Sequence, residues 1–203
     1  MSPARSALIW GLFAAAVAVP VAAAAVSPLL AWRQPVYIAA GFAGVIAMAL
    51  LLTQPLLAGG YLPGLPAQRG RRVHRWTGGA LIAAIAVHVA GLWITSPPDM
   101  VDALLFASPT PFSAWGVAAM WTALGAALLA AFRARFRRKL RIWRRGHTAL
   151  VSMTVIGSVA HAMMIEGTME TVSKTVLCAC TLAATGKAVV DLRAWAIRPR
   201  RGS

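Results

Sequence analysis

Residues 71–88 read RRVHRWTGGALIAAIAVH, and residues 143–161 read WRRGHTALVSMTVIGSVAH. Each stretch leaves a run of arginines and passes directly into apolar sequence, with one histidine at the junction and a second well inside. From His74 to Ile94 the only ionisable side chains are Arg75 and the two histidines. At about 1.5 Å of rise per residue, a helix over that interval matches the roughly 30 Å of a bilayer's hydrocarbon. The pattern predicts a membrane-spanning helix that carries two imidazoles at two depths.

Further apolar windows of similar length lie on both sides of these two. The predicted spans are 7–26, 37–57, 74–94, 112–132, 147–165 and 172–192. Between them stand turn residues: Pro28 and Pro35, then Gly59-Gly60 through Pro66, then Pro97-Pro98 with Pro109 and Pro111. A chain that is 59% hydrophobic, with mean hydropathy +0.70, has no length left for a soluble domain. These proportions exclude a disordered or nucleic-acid-wrapping tail. The expected fold is all-α, a polytopic six-helix bundle occupying residues 1–203 as one domain.

Charge orients the bundle. Lys and Arg number 20 against 5 Asp and Glu, a net charge of +15. Arg5, the group Arg69, Arg71, Arg72 and Arg75, the run Arg133 to Arg145, and Lys187 with Arg193, Arg198, Arg200 and Arg201 all fall at one end of an alternating bundle. Only Arg33 and Lys174 fall at the other, with Asp99, Asp102, Glu166 and Glu170. Short basic loops stay in the cytoplasm, so both termini are expected there, in a bacterial inner membrane. Arg5 followed by an apolar stretch ending in Val21 to Ala25 also has the form of a signal peptide, whose cleavage would leave an odd number of spans. The segment RARFRRKLRIWRR, residues 133–145, is expected to form an amphipathic surface helix with Phe136, Leu140 and Trp143 toward anionic lipid. No nucleic-acid role is expected of it, because it joins two spans without a recognition module. Trp10, Trp32, Trp76, Trp93, Trp115, Trp143 and Trp195 fall near span ends, as interfacial aromatics do. Trp121 lies deeper.

His74, His88, His147 and His161 are the only histidines. Both intervals are fourteen residues, a rise of about 21 Å and a rotation about 40° short of whole turns, so the two members of a pair face nearly the same way. Spans 3 and 5 run parallel. His74 is therefore expected opposite His147, and His88 opposite His161. Two stacked bis-imidazole sites suit haem, whose flat macrocycle fills the space between helices while its iron takes one imidazole from each side. Zinc would call for a third and fourth ligand that the sequence does not place nearby. Arg71, Arg72 and Arg75 are expected to meet the acidic propionates of the inner group, and Gly78 and Gly79 leave that helix bare for close approach. A single intramembrane histidine often does no more than bond across helices. Two equal intervals in one direction argue for a functional pair of pairs.

With these motifs, the chain resembles the ferric reductase-like transmembrane domain of bacterial haem-containing membrane subunits, ferric reductases and NADPH oxidases. The resemblance covers about residues 35–190 and rests mainly on the two histidine-bearing stretches. It implies six helices and two b-type haems, the inner held by His74 and His147, the outer by His88 and His161. Electrons would pass outward from the cytoplasmic side. The architecture is also similar to MsrQ, the haem-binding membrane subunit that supplies a periplasmic methionine sulfoxide reductase, although that subfamily often lacks a counterpart of His74. The larger family members continue into flavin and nicotinamide domains that are not found here, so a separate donor is expected: a cytoplasmic flavin reductase with its flavin, or a membrane quinol. The acceptor would be a periplasmic redox protein, a ferric chelate or oxygen.

The rival readings are a quinol-linked cytochrome b and a haem-free transporter or assembly protein. Asp99, Asp102, Glu166 and Glu170 can receive a cationic acceptor or stand as ordinary solvated acids, and 99–107 is expected as a short lid at the outer end. Cys178 and Cys180 project about 200° apart on a helix, which argues against a disulfide. Met153, Met163 and Met164 read as core packing rather than axial ligands. Lys187 and Asp191 are spaced for an i,i+4 ion pair.

Overall fold

The computed structural model describes residues 2–167 and 169–192. All regular structure within them is helical: α1 (Pro3–Ala25), α2 (Pro35–Ala58), α3 (Ala67–Thr95), α4 (Pro97–Leu104), α5 (Pro111–Ala131), α6 (Leu140–Met164) and α7 (Thr171–Asp191), with short 3-10 turns at Pro28–Leu30 and Phe132–Lys139. Four helical stretches are long and apolar enough to cross a membrane, so the protein is a multi-pass membrane protein. The last of them, 111–164, is a single uninterrupted helical run only by hydrogen-bond pattern. Phe136, at φ −97° and ψ 15°, breaks it. The chain then doubles back, and Thr154 Oγ1 on α6 donates to Thr122 Oγ1 on α5 at 3.0 Å.

Proline starts these helices more than it separates them. Pro3, Pro35, Pro97 and Pro111 each occupy a first-turn position, where the missing N–H is one that would lack a helical partner anyway. Pro20 and Pro55 lie inside α1 and α2 and are buried, as the tightly closed backbone of a membrane helix tolerates when neighbours pack against it. The histidine-bearing helix α3 begins seven residues before the predicted span, so Arg69, Arg71 and Arg72 form its first turns. The arginine run 133–145 departs from the expected surface helix: it is split between the 3-10 turn and the start of α6.

The helices close a ring. α3 lies on α2, α2 on α7, α7 on α6, α6 on α5, and α5 touches α3 again, while α1 packs outside on α2 and α7. The backbones of α3 and α6 barely touch, so they face each other across the middle of the ring. Met48, Leu51 and Leu52 of α2, Leu81 of α3, Val155 of α6, and Leu177 with Cys178 of α7 fill its centre. Leu81 and Val155 lie midway between the two histidines of their helices. An apolar plug thus separates an upper and a lower histidine level. Outward faces are apolar too: Leu12, Val87, Leu128, Ile156 and Val190 are exposed, as a helix in lipid requires. Met153, Met163 and Met164 belong to this outer surface and not to the core, and Trp121 is likewise on the outside.

The end that holds His74 and His147 is tied together by polar contacts. Trp10 Nε1 of α1 donates to the Pro63 carbonyl at 3.2 Å. Asp191, at the end of α7, accepts from Tyr61 Oη at 2.7 Å and from Lys187 Nζ at 2.8 Å, so the expected Lys187–Asp191 ion pair is present. Gly60 and Gly64, at φ 68° and 76°, turn the chain between α2 and α3, a backbone region glycine enters without steric cost. Arg193, Trp195, Arg198, Arg200 and Arg201 lie outside the described residues. At the opposite end, residues 99–104 of the expected lid lie within α4, which packs on α3 and α5. There Glu170 caps α7, accepting from the N–H groups of Val172 and Ser173, and these donors hold its carboxyl below the usual range.

Partial burial and the Asp191 carboxylate push the Tyr61 hydroxyl up to about 12. The folded state therefore holds this proton more tightly than the unfolded chain does. The Tyr61–Asp191 contribution should be fully present below about pH 10, the unfolded value, and lost as pH rises through about 12. Detergent melts of wild type and Tyr61→Phe are expected to differ by a constant amount up to pH 10 and to converge above it; a gap that widens at high pH would contradict the assignment.

Candidate functional site: two histidine levels

The structure brings His88 and His161 together. Their ring centroids are 6.4 Å apart, with planes at 80°. His74 and His147, one level away, are within electrostatic range of each other. All four rings are half-buried, and His88 and His161 meet across the space between α3 and α6. Within each helix, the fourteen-residue interval separates the levels by about 21 Å.

Backbone carbonyls of the neighbouring helix fix three of the rings. His88 Nδ1 donates to the Ala40 carbonyl at 2.7 Å, and His161 Nδ1 to the Phe112 carbonyl at 2.9 Å. His74 Nδ1 lies 3.2 Å from the Gln54 carbonyl. The Gln54 side-chain amide, oriented to accept from Thr77 Oγ1 and the Gly78 N–H, also brings its nitrogen within 2.9 Å of the same ring atom. His147 Nδ1 is buried and has no hydrogen-bond partner; the Ala126 carbonyl lies on its side of the ring but outside bonding geometry. Instead the His147 ring stacks on Trp143, with centroids 5.2 Å apart and planes at 6°. Trp143 is fixed in turn by donating Nε1 to the Leu129 carbonyl at 2.8 Å and by the Arg133 guanidinium 5.2 Å over its ring. Trp143 thus faces inward and not toward lipid, because a ring one helical turn before His147 falls on the same face.

A ring that donates through Nδ1 keeps the lone pair on Nε2 for a metal. A metal–imidazole bond of about 2 Å, with about 1.2 Å more to each ring centre, puts two axial imidazoles about 6 Å apart. The 6.4 Å separation of His88 and His161 fits one iron between them. No cluster of three or more His, Cys, Asp or Glu side chains occurs among the described residues. Of the arginines expected near the inner level, Arg72 and Arg75 line an open cavity with Trp76, while Arg71 is exposed beside them. Gly78 faces the Gln54 side chain, and nothing approaches Gly79 within 4 Å.

At the end away from His74 and His147, Asp99, Asp102, Glu166 and Glu170 are exposed. Lys174 is buried at 7% exposure and donates Nζ to the Ile165 carbonyl at 2.9 Å, placing a cation at the C-terminus of α6 where the helix dipole favours it. Cys178 and Cys180 are free thiols.

Comparison with known families matches residues 40–158, more than half of the chain, to the ferric reductase like transmembrane component. The chain belongs to this family. The match takes in His74, His88 and His147 and ends three residues before His161. Neither the curated proteins nor the solved structures contain a match. Membership points to transmembrane electron transfer as the domain's work.

The elements that sequence reasoning did not find are Trp143 as a ring partner and the carbonyls of Ala40, Gln54 and Phe112. Carbonyls carry no sequence signature. Trp143→Ala should loosen the turn between α5 and α6: hydrogen exchange over residues 129–147 is expected to rise severalfold while residues 97–116 at the other end stay protected. Equal loosening at both ends would mean that Trp143 supports the bundle generally and not His147 in particular.

Proposed function

We propose that the protein carries electrons across the membrane through two b-type haems, the inner bound by His74 and His147 and the outer by His88 and His161. The observation that carries this reading is the His88–His161 pair, two imidazoles at axial spacing on facing helices. Each haem, when bound, supplies an iron that alternates between ferric and ferrous and so handles one electron at a time.

The chain's own residues do the rest. The carbonyls of Ala40 and Phe112 hold the outer imidazoles with Nε2 toward the gap, and Trp143 holds His147 by its face. Arg71, Arg72 and Arg75 would bind the propionates at the inner level, where cations also make that end attractive to an anionic donor. The apolar layer of Leu81, Val155 and Leu177 keeps water and protons out of the space between the levels. A charge held there would be costly, so electrons cross while ions do not. All six long helices span the membrane in this reading, with both termini in the cytoplasm and the basic end facing inward. A cytoplasmic flavin reductase or a quinol would supply electrons at the basic end, and a periplasmic redox protein, ferric chelate or oxygen would accept them at the other. The MsrQ-like assignment is one form of this scheme.

Purified, haem-supplied protein should show a Soret band and two iron-porphyrins per chain. His88→Ala and His161→Ala should each abolish the same centre in a redox titration, leaving the other intact. Loss of different centres would refute the pairing, and absence of haem from wild type would return the histidines to a packing role. In oriented vesicles, a reductant added on the basic side should reduce an acceptor trapped on the other.

A further inference from the structure

The two levels are built on one repeated device, and at one level it is complete. The carbonyls facing the histidines lie at 40 and 54 on α2 and at 112 and 126 on α5, the second pair displaced from the first by 72 residues. The histidines follow at 74 and 88, then at 147 and 161, displaced by 73. The hairpins α2–α3 and α5–α6 are thus two versions of one unit, and each histidine helix carries Arg-Arg-x-His just ahead of its apolar run.

The two levels differ in the residue one turn past each carbonyl. After Ala40 and Phe112 it is glycine, Gly44 and Gly116; after Gln54 and Ala126 it is alanine, Ala58 and Ala130. A Cβ at Gly44 would lie 3.0 Å from His88 Nδ1, and one at Gly116 would lie 2.7 Å from His161 Nδ1. Ring and Cβ cannot both occupy that space without one of them shifting. Where glycine stands, the Nδ1–carbonyl distances are 2.7 and 2.9 Å. Where alanine stands, one contact lengthens to 3.2 Å and the other is not made.

We propose that Gly44 and Gly116 are positioning residues of the outer centre, each leaving the space that lets its histidine donate Nδ1–H to a carbonyl of the neighbouring helix. The inference rests on the haem reading for its redox consequence but not for its geometry. An imidazole that donates from Nδ1 is a more electron-rich ligand through Nε2 and favours the ferric state. Both outer ligands are of this kind; at the inner level His74 makes only the longer 3.2 Å contact and His147 Nδ1 has no partner. The glycines therefore set the electronic character of one centre and leave the other alone.

The test uses Gly44→Ala and Gly116→Ala in the full chain, with Gly186→Ala, which meets nothing within 4 Å, as the control. In haem-loaded protein, each alanine at a seat should raise the midpoint potential of the outer centre, by as much as 59 mV if the ferric preference falls about tenfold. Haem retention at that centre should weaken by about tenfold or more, with the inner midpoint unmoved. In haem-free protein, nitrogen NMR should find the proton of His88 and His161 on Nδ1 in wild type, and on a mixture of both nitrogens at the substituted seat. If wild type holds no haem, the functional reading fails, while the tautomers still decide the seat. Nε2 protonation of both rings in wild type would overturn the proposal. So would two bound haems whose potentials neither seat variant moves.

Discussion

An imidazole nitrogen left unpaired in hydrocarbon is costly, and at the level of His88 and His161 the need for a partner ties helix to helix. Water is not there to help, and every helical N–H is already taken by its own helix. What remains available is the second lone pair of a helix carbonyl, and only on a neighbour close enough to offer it. His88 and His161 find such carbonyls on α2 and α5, so each histidine helix is bound to the helix that precedes it in the chain. The same need explains why small residues line these contacts. Gly91 sits where a Cβ would come within 2.7 Å of the Ala40 Cβ, and a Cβ at Gly157 would lie 3.0 Å from the Trp115 carbonyl. Close backbones are what allow carbonyl and ring to meet.

From that constraint follows the division of the ring into hairpins and a gap. α2 with α3, and α5 with α6, are tightly joined, whereas α3 and α6 stand off from each other. The gap is lined by imidazoles at two depths and crossed by apolar side chains between them. Family membership, through residues 40–158, points to electron transfer, and the spacing of His88 and His161 is what the proposed haem site would require. The inner and outer levels are not equivalent. Arginines and a stacked tryptophan surround the inner level, while backbone carbonyls hold the outer one, with a buried lysine at its end of the bundle.

Much of this was legible from residue order. Apolar length identified the helices, and their ends moved by only a few residues except at α3 and α6, where helix continues into the arginines. Those two misplacements share a cause. Arginine is a good helix former, and a hydropathy window stops at the first charges although the backbone does not. The reading of residues 133–145 failed for a related reason: amphipathic periodicity assumed one continuous helix, but the chain has to reverse between α5 and α6 and breaks at Phe136. Met153, Met163 and Met164 read as core because they are apolar, but in a bilayer the outside is apolar as well, and all three are exposed.

By itself, the sequence determined that this is a multi-pass helical protein with its basic residues gathered at one end. It also determined that four histidines recur at one interval on two parallel helices, because hydropathy, charge and helical pitch are all properties of residue order. Which groups hold those histidines was decided only by tertiary structure. A backbone carbonyl is the same at every position, and a glycine in an apolar helix looks like any other until the ring it admits is placed beside it. Gly44 and Gly116 acquire their meaning from helices 44 and 45 residues further along the chain, where packing, and not local sequence, sets the distance.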